Sequence, residues 1–420
     1  MLSPDTTPRV TVLGAGIVGI CTALSLAERG VPVRVIDRGP PGQATSFGNA
    51  GVISPWSIIP QAVPGIWRQI PGLMLGRYRP LAVRPAAWPR MVPWGLRFLR
   101  NATEQKLRQS CDAMQILCGP SIDLYRRHLA GTGHAGLVVD SCYVHAFRNS
   151  SRADLSALDY ALRVEKGAAC EVIDGPAVTR LEPALGSQFN AAIVIHNQAR
   201  ALSPGKLSEV LAEKATGLGV EFISDSITAV ERATPGWRIV CDGETYHASQ
   251  VVLALGAWSL DILRPLGIQV PLMAERGYHI ECPTPGVTLT NSIMDMDAKV
   301  VASSMQDGVR VAGQAEFGDP SAPPSPRRKP HLERLAQAMM PQLNVADARL
   351  WVGARPSLPD SLPMLGPVAD QPGLFLNFGH SHYGLMMAPK SGELLADTLV
   401  GRMPNVDLST YAVDRFEVAS

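Results

Sequence analysis

The chain has 420 residues, 46% of them apolar, which suits a folded protein of about two or three domains rather than a tail or a linker. Its 38 Lys and Arg nearly balance 37 Asp and Glu, and only 18% of residues are charged, so no overall field favours nucleic acid. No apolar run reaches the roughly 18 residues of a membrane span. No basic and apolar leader opens the chain, so a cytoplasmic protein is expected. Seven cysteines without a C-x-x-C pair point to reduced thiols, mostly core, with no disulfide framework, structural zinc or iron–sulfur cluster.

In chain order, Val10–Leu13 reads as a strand, Gly14-Ala-Gly16-Ile-Val-Gly19 as a turn, and the helical spacing of Ala23, Leu24 and Ala27 as a helix closed by Gly30. A second strand over 31–36 ends at Asp37, completing a βαβ unit. In such a unit the first Gly permits the tight turn, the second lets the backbone approach a pyrophosphate, and the third lets helix and strand pack closely. An acid about 20 residues on accepts from a ribose hydroxyl. Gly14, Gly16, Gly19 and Asp37 match these roles, which predicts a dinucleotide site without separating FAD from NAD. The small, polar loop 43–53 interrupts the βα alternation that a nicotinamide domain would continue. Its Ser46 and Asn49 are either cofactor ligands or ordinary turn formers.

Residues 38–103 contain no Asp or Glu, yet hold eight arginines, four of the seven tryptophans and ten prolines. This segment reads either as an element resting on lipid headgroups or as a lid or subunit contact whose arginines pair with carboxylates elsewhere. The prolines argue against one long amphipathic helix.

Further on, 137–147, 190–196 and 276–315 are β-patterned, and a Pro-rich connection spans 320–330. Short strands at 220–223, 227–230, 237–240 and 251–255 read as a meander feeding back into a sheet. A strand at 374–378, Gly379 and a helix-like run through 391–400 close the chain. The expected fold class is α/β (α+β overall). A Rossmann-like domain is expected from 1–57, 201–258 and 350–420, and a second, sheet-containing domain from 58–200 and 259–349.

The run Gly379-His-Ser-His-Tyr-Gly384-Leu-Met-Met opens a helix at a strand end, so its free N–H groups and positive dipole end suit the charge on N1 and the C2 carbonyl of a reduced flavin. Gly384, Leu385 and Met386 are therefore candidate flavin contacts, and His382 and His380 are either proton carriers or hydrogen-bonded structural residues. Arg355 stands in an apolar, Pro-fixed setting where an unpaired guanidinium is costly. Its fork suits a carboxylate; a structural bridge to Asp360 is the alternative.

The whole chain resembles the D-amino-acid dehydrogenase branch of the D-amino-acid oxidase/glycine oxidase superfamily. The resemblance rests on V-L-G-A-G-I-V-G followed by V-I-D-R, on T-S-x-x-N-A-G-x-I-S at 45–54, on L-E-P-A-L at 181–185 and on R-G-Y at 276–278. It rests also on the run at 310–316, on G-A-R-P and D-S-L-P-M-L-G-P within 353–367, and on L-F-L-N-F-G-H at 374–380. It implies non-covalently bound FAD and a substrate domain whose sheet covers the flavin. The implied cofactor set is Gly14, Gly16, Gly19, Asp37, Arg38, Ser46, Asn49, Gly51, Ile227, Gly256, Trp258, Gly379, Gly384, Leu385 and Met386. The implied catalytic set is Arg355 gripping a substrate carboxylate, Tyr278 on the substrate side, and His382.

The implied reaction moves hydride from the substrate Cα to flavin N5, leaving an imine that hydrolyses to a 2-oxo acid and ammonia. The electrons then pass to a quinone, redox protein or other acceptor than O2; the protein is expected to be cytoplasmic or, on the lipid-facing reading of 38–103, attached peripherally at the inner face of the cytoplasmic membrane. The His-rich run 379–384 departs from the small, polar stretch of the alanine-type enzymes and leaves the preferred side chain open. Two rival readings are an O2-using oxidase of glycine, sarcosine or a cyclic imino acid, and a non-catalytic flavin-bearing subunit of an electron-transfer assembly. The apolar setting of Arg355 argues against the second.

Overall fold

Val10–Leu13 is buried along its whole length, as a central parallel strand covered on both faces requires. It pairs in parallel with Val33–Asp37 on one side and Gln250–Leu253 on the other. The computed structural model describes residues 10–416; the first nine, on which the expectation of no leader partly rests, lie outside the described residues. The sheet has six strands in the order Met364–Pro367, Leu374–Phe378, Gln250–Leu253, Val10–Leu13, Val33–Asp37, Glu221–Ser224. Met364–Pro367 alone runs antiparallel to its neighbour. Three distant stretches of chain therefore build one sheet. The helix Ile17–Ala27 packs against Gly384–Leu399, which opens within the run 379–387 and continues through 391–399. Gly392 makes that approach possible: a Cβ there would stand 2.8 Å from the Cys21 carbonyl carbon.

The meander is a three-stranded antiparallel sheet of Ile227–Arg232, Trp237–Cys241 and Thr245–Ala248, after which Gln250–Leu253 returns to the parallel sheet. The second large sheet has ten strands. Its main path runs Arg349–Ser357, Met273–Cys282, Gly308–Phe317, Val300–Met305, Ser292–Asp295, Val138–Phe147, Ala191–Ala201, Val52–Ile53.

This architecture corrects the expected boundaries at three places. Arg349–Ser357, placed from residue 350 in the first domain, pairs along its length with Met273–Cys282 and belongs to the second sheet. Val52–Ile53 does likewise by pairing with Ala191–Ala201. Conversely, the helices Glu104–Cys118 and Ser121–Leu129 pack on Gly384–Leu399, and their Met114, Leu117, Tyr125 and Leu129 lie in the core of the first domain. Composition could not show this, because an apolar helix face does not declare which sheet it will cover.

The acid-free segment folds as two helices, Ile66–Leu75 and Trp88–Asn101, with Pro71 and Pro93 inside them, separated by the short strand Leu81–Val83 that pairs with Gly308–Phe317. Trp94 anchors the second helix on Met273 and Phe317. No helix among the described residues is long and apolar enough to cross a membrane. All seven cysteines are free thiols, and five are buried.

Candidate active site

A cavity of about 1390 Å³ runs from the N-terminus of Ile17–Ala27 to the face of the large sheet. It exceeds the ~300–1,000 Å³ usual for a small-molecule pocket, which suits a dinucleotide together with a substrate. Its wall brings together Gly16, Asp37, Arg38, Ser46, Asn49, Ile227, Gly256, Trp258, Gly379, Gly384, Leu385 and Met386. Gly14, Gly19 and Gly51, expected in the same set, do not line the cavity; they shape it. Gly14 adopts φ +111°, with a Cβ position 2.5 Å from the Ala254 carbonyl oxygen, and a Cβ on Gly19 would lie 1.9 Å from that of Gly14.

The residues fit FAD on several counts. Gly16 caps its helix with no side-chain hydrogen bond, leaving room at a positive helix end for phosphate oxygens. Asp37 Oδ2 accepts from Ala15 N at 2.7 Å, which holds the acid beside the glycine turn. The Arg38 guanidinium lies 4.4 Å over the Trp258 ring, forming a flat polar wall. Ser46 Oγ accepts from Ile17 N at 2.9 Å, so its hydroxyl already serves the helix N-terminus. Asn49 Oδ1 accepts from Gly51 N at 2.9 Å, which is the turn chemistry that was the alternative to ligation. At the far end the helix Gly384–Leu399 also lacks a side-chain cap, and its first residues face the cavity.

The sheet supplies the other wall. Along Met273–Cys282 side chains alternate, so Glu275, Gly277 and His279 share one face with their cross-strand partners Arg355, Gly353 and Trp351. Arg355 Nη1 donates to Glu275 Oε1 at 2.7 Å and to the Gln314 carbonyl at 3.2 Å. Glu275 Oε2 accepts from Ser357 Oγ at 2.7 Å and from Gln61 Nε2 at 3.4 Å. The other edge of the guanidinium, Nε and Nη2, has no acceptor among the described residues and lies over Gly277, where a Cβ would stand 2.7 and 2.2 Å from those atoms. Asp360, the alternative partner of Arg355, pairs with Arg415 at 2.8 Å instead. Burial works against ionising Glu275, but the Arg355 charge and the hydrogen bond from Ser357 hold its carboxyl below the usual value.

His382 lines the cavity with Nδ1 3.1 Å from Gln61 Nε2, and desolvation drives its pKa down to about 4, so the ring is neutral at pH 7. His380 also borders the cavity but is buried, 3.2 Å from Ser391 Oγ, with its pKa pushed by desolvation to about 3. Tyr278 is among the residues bordering the cavity, but its ring packs into the core on the opposite face of the strand and its hydroxyl donates to Glu316 at 2.9 Å. The strand's two-residue period puts it there, because Gly277 occupies the facing position.

Sequence reasoning missed Glu275, Gln61 and Ser357. The alternation through Glu275-Arg276-Gly277-Tyr278-His279 carried the signal for Glu275, since it shares the face of Gly277. Gln61 and Ser357 carried none. The His279 ring stacks on Trp351 at 4.9 Å and meets the Gly48 carbonyl at 3.1 Å, which joins the sheet to the 43–53 loop.

A family profile described as FAD dependent oxidoreductase, DAO, matches residues 9–398. A D-amino-acid oxidase of Bradyrhizobium diazoefficiens is 31% identical over 422 aligned residues, covering 97% of this chain and 98% of the relative. Among solved structures, glycine oxidase from Geobacillus kaustophilus superposes with a TM-score of 0.74 at 20% identity, covering 98% of this chain and 99% of its own. L-proline dehydrogenase from P. horikoshii does so with a TM-score of 0.75 at 17% identity, covering 99% of each chain. At these identities the two structures speak for the fold alone.

Proposed function

The chain belongs to the DAO family of FAD dependent oxidoreductases, and on that premise we propose that it oxidises the Cα–N bond of a D-amino acid, giving a 2-oxo acid and ammonia through an imine. The observation that carries this reading is the unclaimed Nε and Nη2 edge of Arg355. Its other edge is held by Glu275 and Gln314, and Gly277, having no Cβ, leaves the space in which the guanidinium lies. A planar pair of donors facing a cavity is complementary to a carboxylate. The D configuration is favoured by the activity named for the Bradyrhizobium relative.

FAD, once bound, supplies the two-electron acceptor for the substrate hydride. The N-terminal helix end at Gly16 and Ile17, Asp37, the Arg38–Trp258 wall, Ile227, Ser46 and the helix opening at Gly384, Leu385 and Met386 would hold it. Non-covalent binding is favoured because no cysteine lines the cavity and the lining histidines, His380 and His382, are both engaged by neighbours. Arg355 fixes the substrate carboxylate, and Glu275 with Ser357 and Gln61 fixes Arg355. An amine bound in its neutral form needs no base for the hydride step, so positioning supplies much of the rate, and neutral His382 serves as a polar wall. A quinone or another acceptor than O2 is favoured by the apolar outer wall of the cavity, where Ile70, Leu73, Val92 and Leu96 border the opening.

Anaerobic mixing with separate D- and L-amino acids, sarcosine and glycine, followed by air or a soluble quinone, tests the reading. Bleaching of the flavin by D-amino acids with faster reoxidation by quinone is expected. Rapid reoxidation by air would make the protein an oxidase. Absence of bleaching by every amine would leave only a non-catalytic flavoprotein.

A further inference from the structure

The helix Trp88–Asn101 packs Met91, Trp94 and Phe98 against the sheet side, yet Trp88, Val92, Leu96 and Leu99, at i, i+4, i+8 and i+11, form a second apolar stripe that lines the cavity and is exposed there. Val92 and Leu96 are each 56% exposed. The helix Ile66–Leu75 buries none of its residues, and its Trp67 and Leu75 are 58% and 76% exposed. The two helices border the same opening of the cavity. An exposed apolar surface of this kind marks an interaction site. Around it stand Arg68, Arg77, Arg79, Arg90, Arg97 and Arg100, none of which makes an ion pair among the described residues. Arg84 alone of this stretch does, with Glu316. No acidic residue occurs between Arg38 and Thr103.

We propose that these two helices dock the protein on an anionic lipid surface, with the apolar stripe entering the headgroup boundary and the arginines reaching lipid phosphates. Charge selects this occupant. A two-fold contact between copies would bring the same cationic surface against itself, which like charges oppose, whereas anionic headgroups neutralise it. Arg beside Trp is the composition that places a helix at the interface rather than through the bilayer. The inference does not depend on the substrate or the electron acceptor, and it chooses the lipid-facing alternative for the acid-free segment over a lid whose arginines find carboxylates.

The test is co-sedimentation of the flavin-loaded protein with vesicles of phosphatidylcholine alone and of phosphatidylcholine with phosphatidylglycerol, at low and high salt. Binding is expected to the anionic vesicles and to weaken as the Debye length shrinks from ~30 Å at 0.01 M to ~3 Å at 1 M. Arg90, Arg97 and Arg100 replaced together by Gln should weaken partition on the order of 100-fold, at about fivefold per basic residue. Val92→Ser with Leu96→Ser should leave only binding that salt fully releases. Flavin absorbance reports that each variant is folded. No binding to anionic vesicles at low salt, or binding unchanged in the Arg variant, overturns the proposal. Concentration-dependent self-association abolished by the Ser pair, without vesicle uptake, overturns it in favour of a second copy.

Discussion

Replacing Arg355 by Lys separates its two jobs. Nη1 answers Glu275 and Gln314, while Nε and Nη2 face the cavity over Gly277. A lysine ammonium can still neutralise Glu275, but it has no fork with which to hold a carboxylate through two parallel bonds. Each charge-assisted hydrogen bond contributes about 1.5–3 kcal/mol. Loss of one of the two therefore predicts kcat/KM for an amino acid lowered about 10- to 150-fold, at 1.36 kcal/mol per decade. Arg355→Ala is the cruder probe, because it also strands the buried Glu275 carboxylate, a change that costs about 3–5 kcal/mol when one partner of a buried pair is removed. The assay compares an amino acid with the amine that lacks its carboxylate, in both native and Lys proteins, with flavin content checked by absorbance. The carboxylate-free amine should be a poor substrate of the native protein and should lose little further. A Lys variant within threefold of native on the amino acid, or an equal loss on both compounds, would refute carboxylate binding at Arg355.

Gly277→Ala should lower kcat/KM while flavin stays bound, since the new Cβ would lie 2.2 Å from Nη2 and must push the guanidinium aside; steady-state kinetics with an absorbance spectrum checks it. Gly19→Val should abolish flavin retention through gel filtration, because even a Cβ there would stand 1.9 Å from the Gly14 carbonyl oxygen. His279 and His380 both have folded pKa values of about 3, forced down first by burial. The unfolded state therefore binds more protons between about pH 6.5 and pH 3, and stability should fall as pH drops through that window. Denaturant midpoints at a series of pH values should show a shallower fall for His279→Gln than for the native protein. With His382 neutral above about pH 4, the rise of kcat/KM with pH should track the amine pKa of the chosen substrate and survive in His382→Gln; a limb near pH 6.5 that is independent of substrate and lost in that variant would make His382 a base.

The nucleotide-binding unit was legible because its signals are local. Gly14, Gly16, Gly19 and Asp37 fall within one βαβ stretch, where backbone geometry dictates residue type at each position. Arg355 was legible as a cation needing an anion, but its protein partner was not. Glu275 is 80 residues away and meets it only because Met273–Cys282 and Arg349–Ser357 are neighbours in register, a non-local fact. Asp360 looked plausible because it is near in sequence, yet Arg415 takes it from the C-terminal end of the chain. The same limit explains the misplaced boundaries: a strand such as Val52–Ile53 reads alike whichever sheet it joins.

Tyr278 shows what the far face of that strand does instead. Glu316 accepts from Tyr278 at 2.9 Å, from Arg276 at 2.7 Å and from Arg84 at 2.8 Å, with Arg328 3.6 Å away. Burial opposes ionisation of Glu316, but the Tyr278 hydrogen bond and the Arg84 and Arg276 charges hold its carboxyl below the usual value. Arg276 also donates to the carbonyls of Ala322 and Pro323, which fixes the Pro-rich connection against the sheet. Because Arg84 lies between the two exposed helices and Arg276 is adjacent to Gly277 in sequence, one carboxylate ties the two-helix segment to the strand that carries Glu275. The strand that presents Glu275 is thus pinned from behind by a desolvated, multiply bonded group. Such support is what a site needs if Arg355 is to meet a carboxylate without first being ordered.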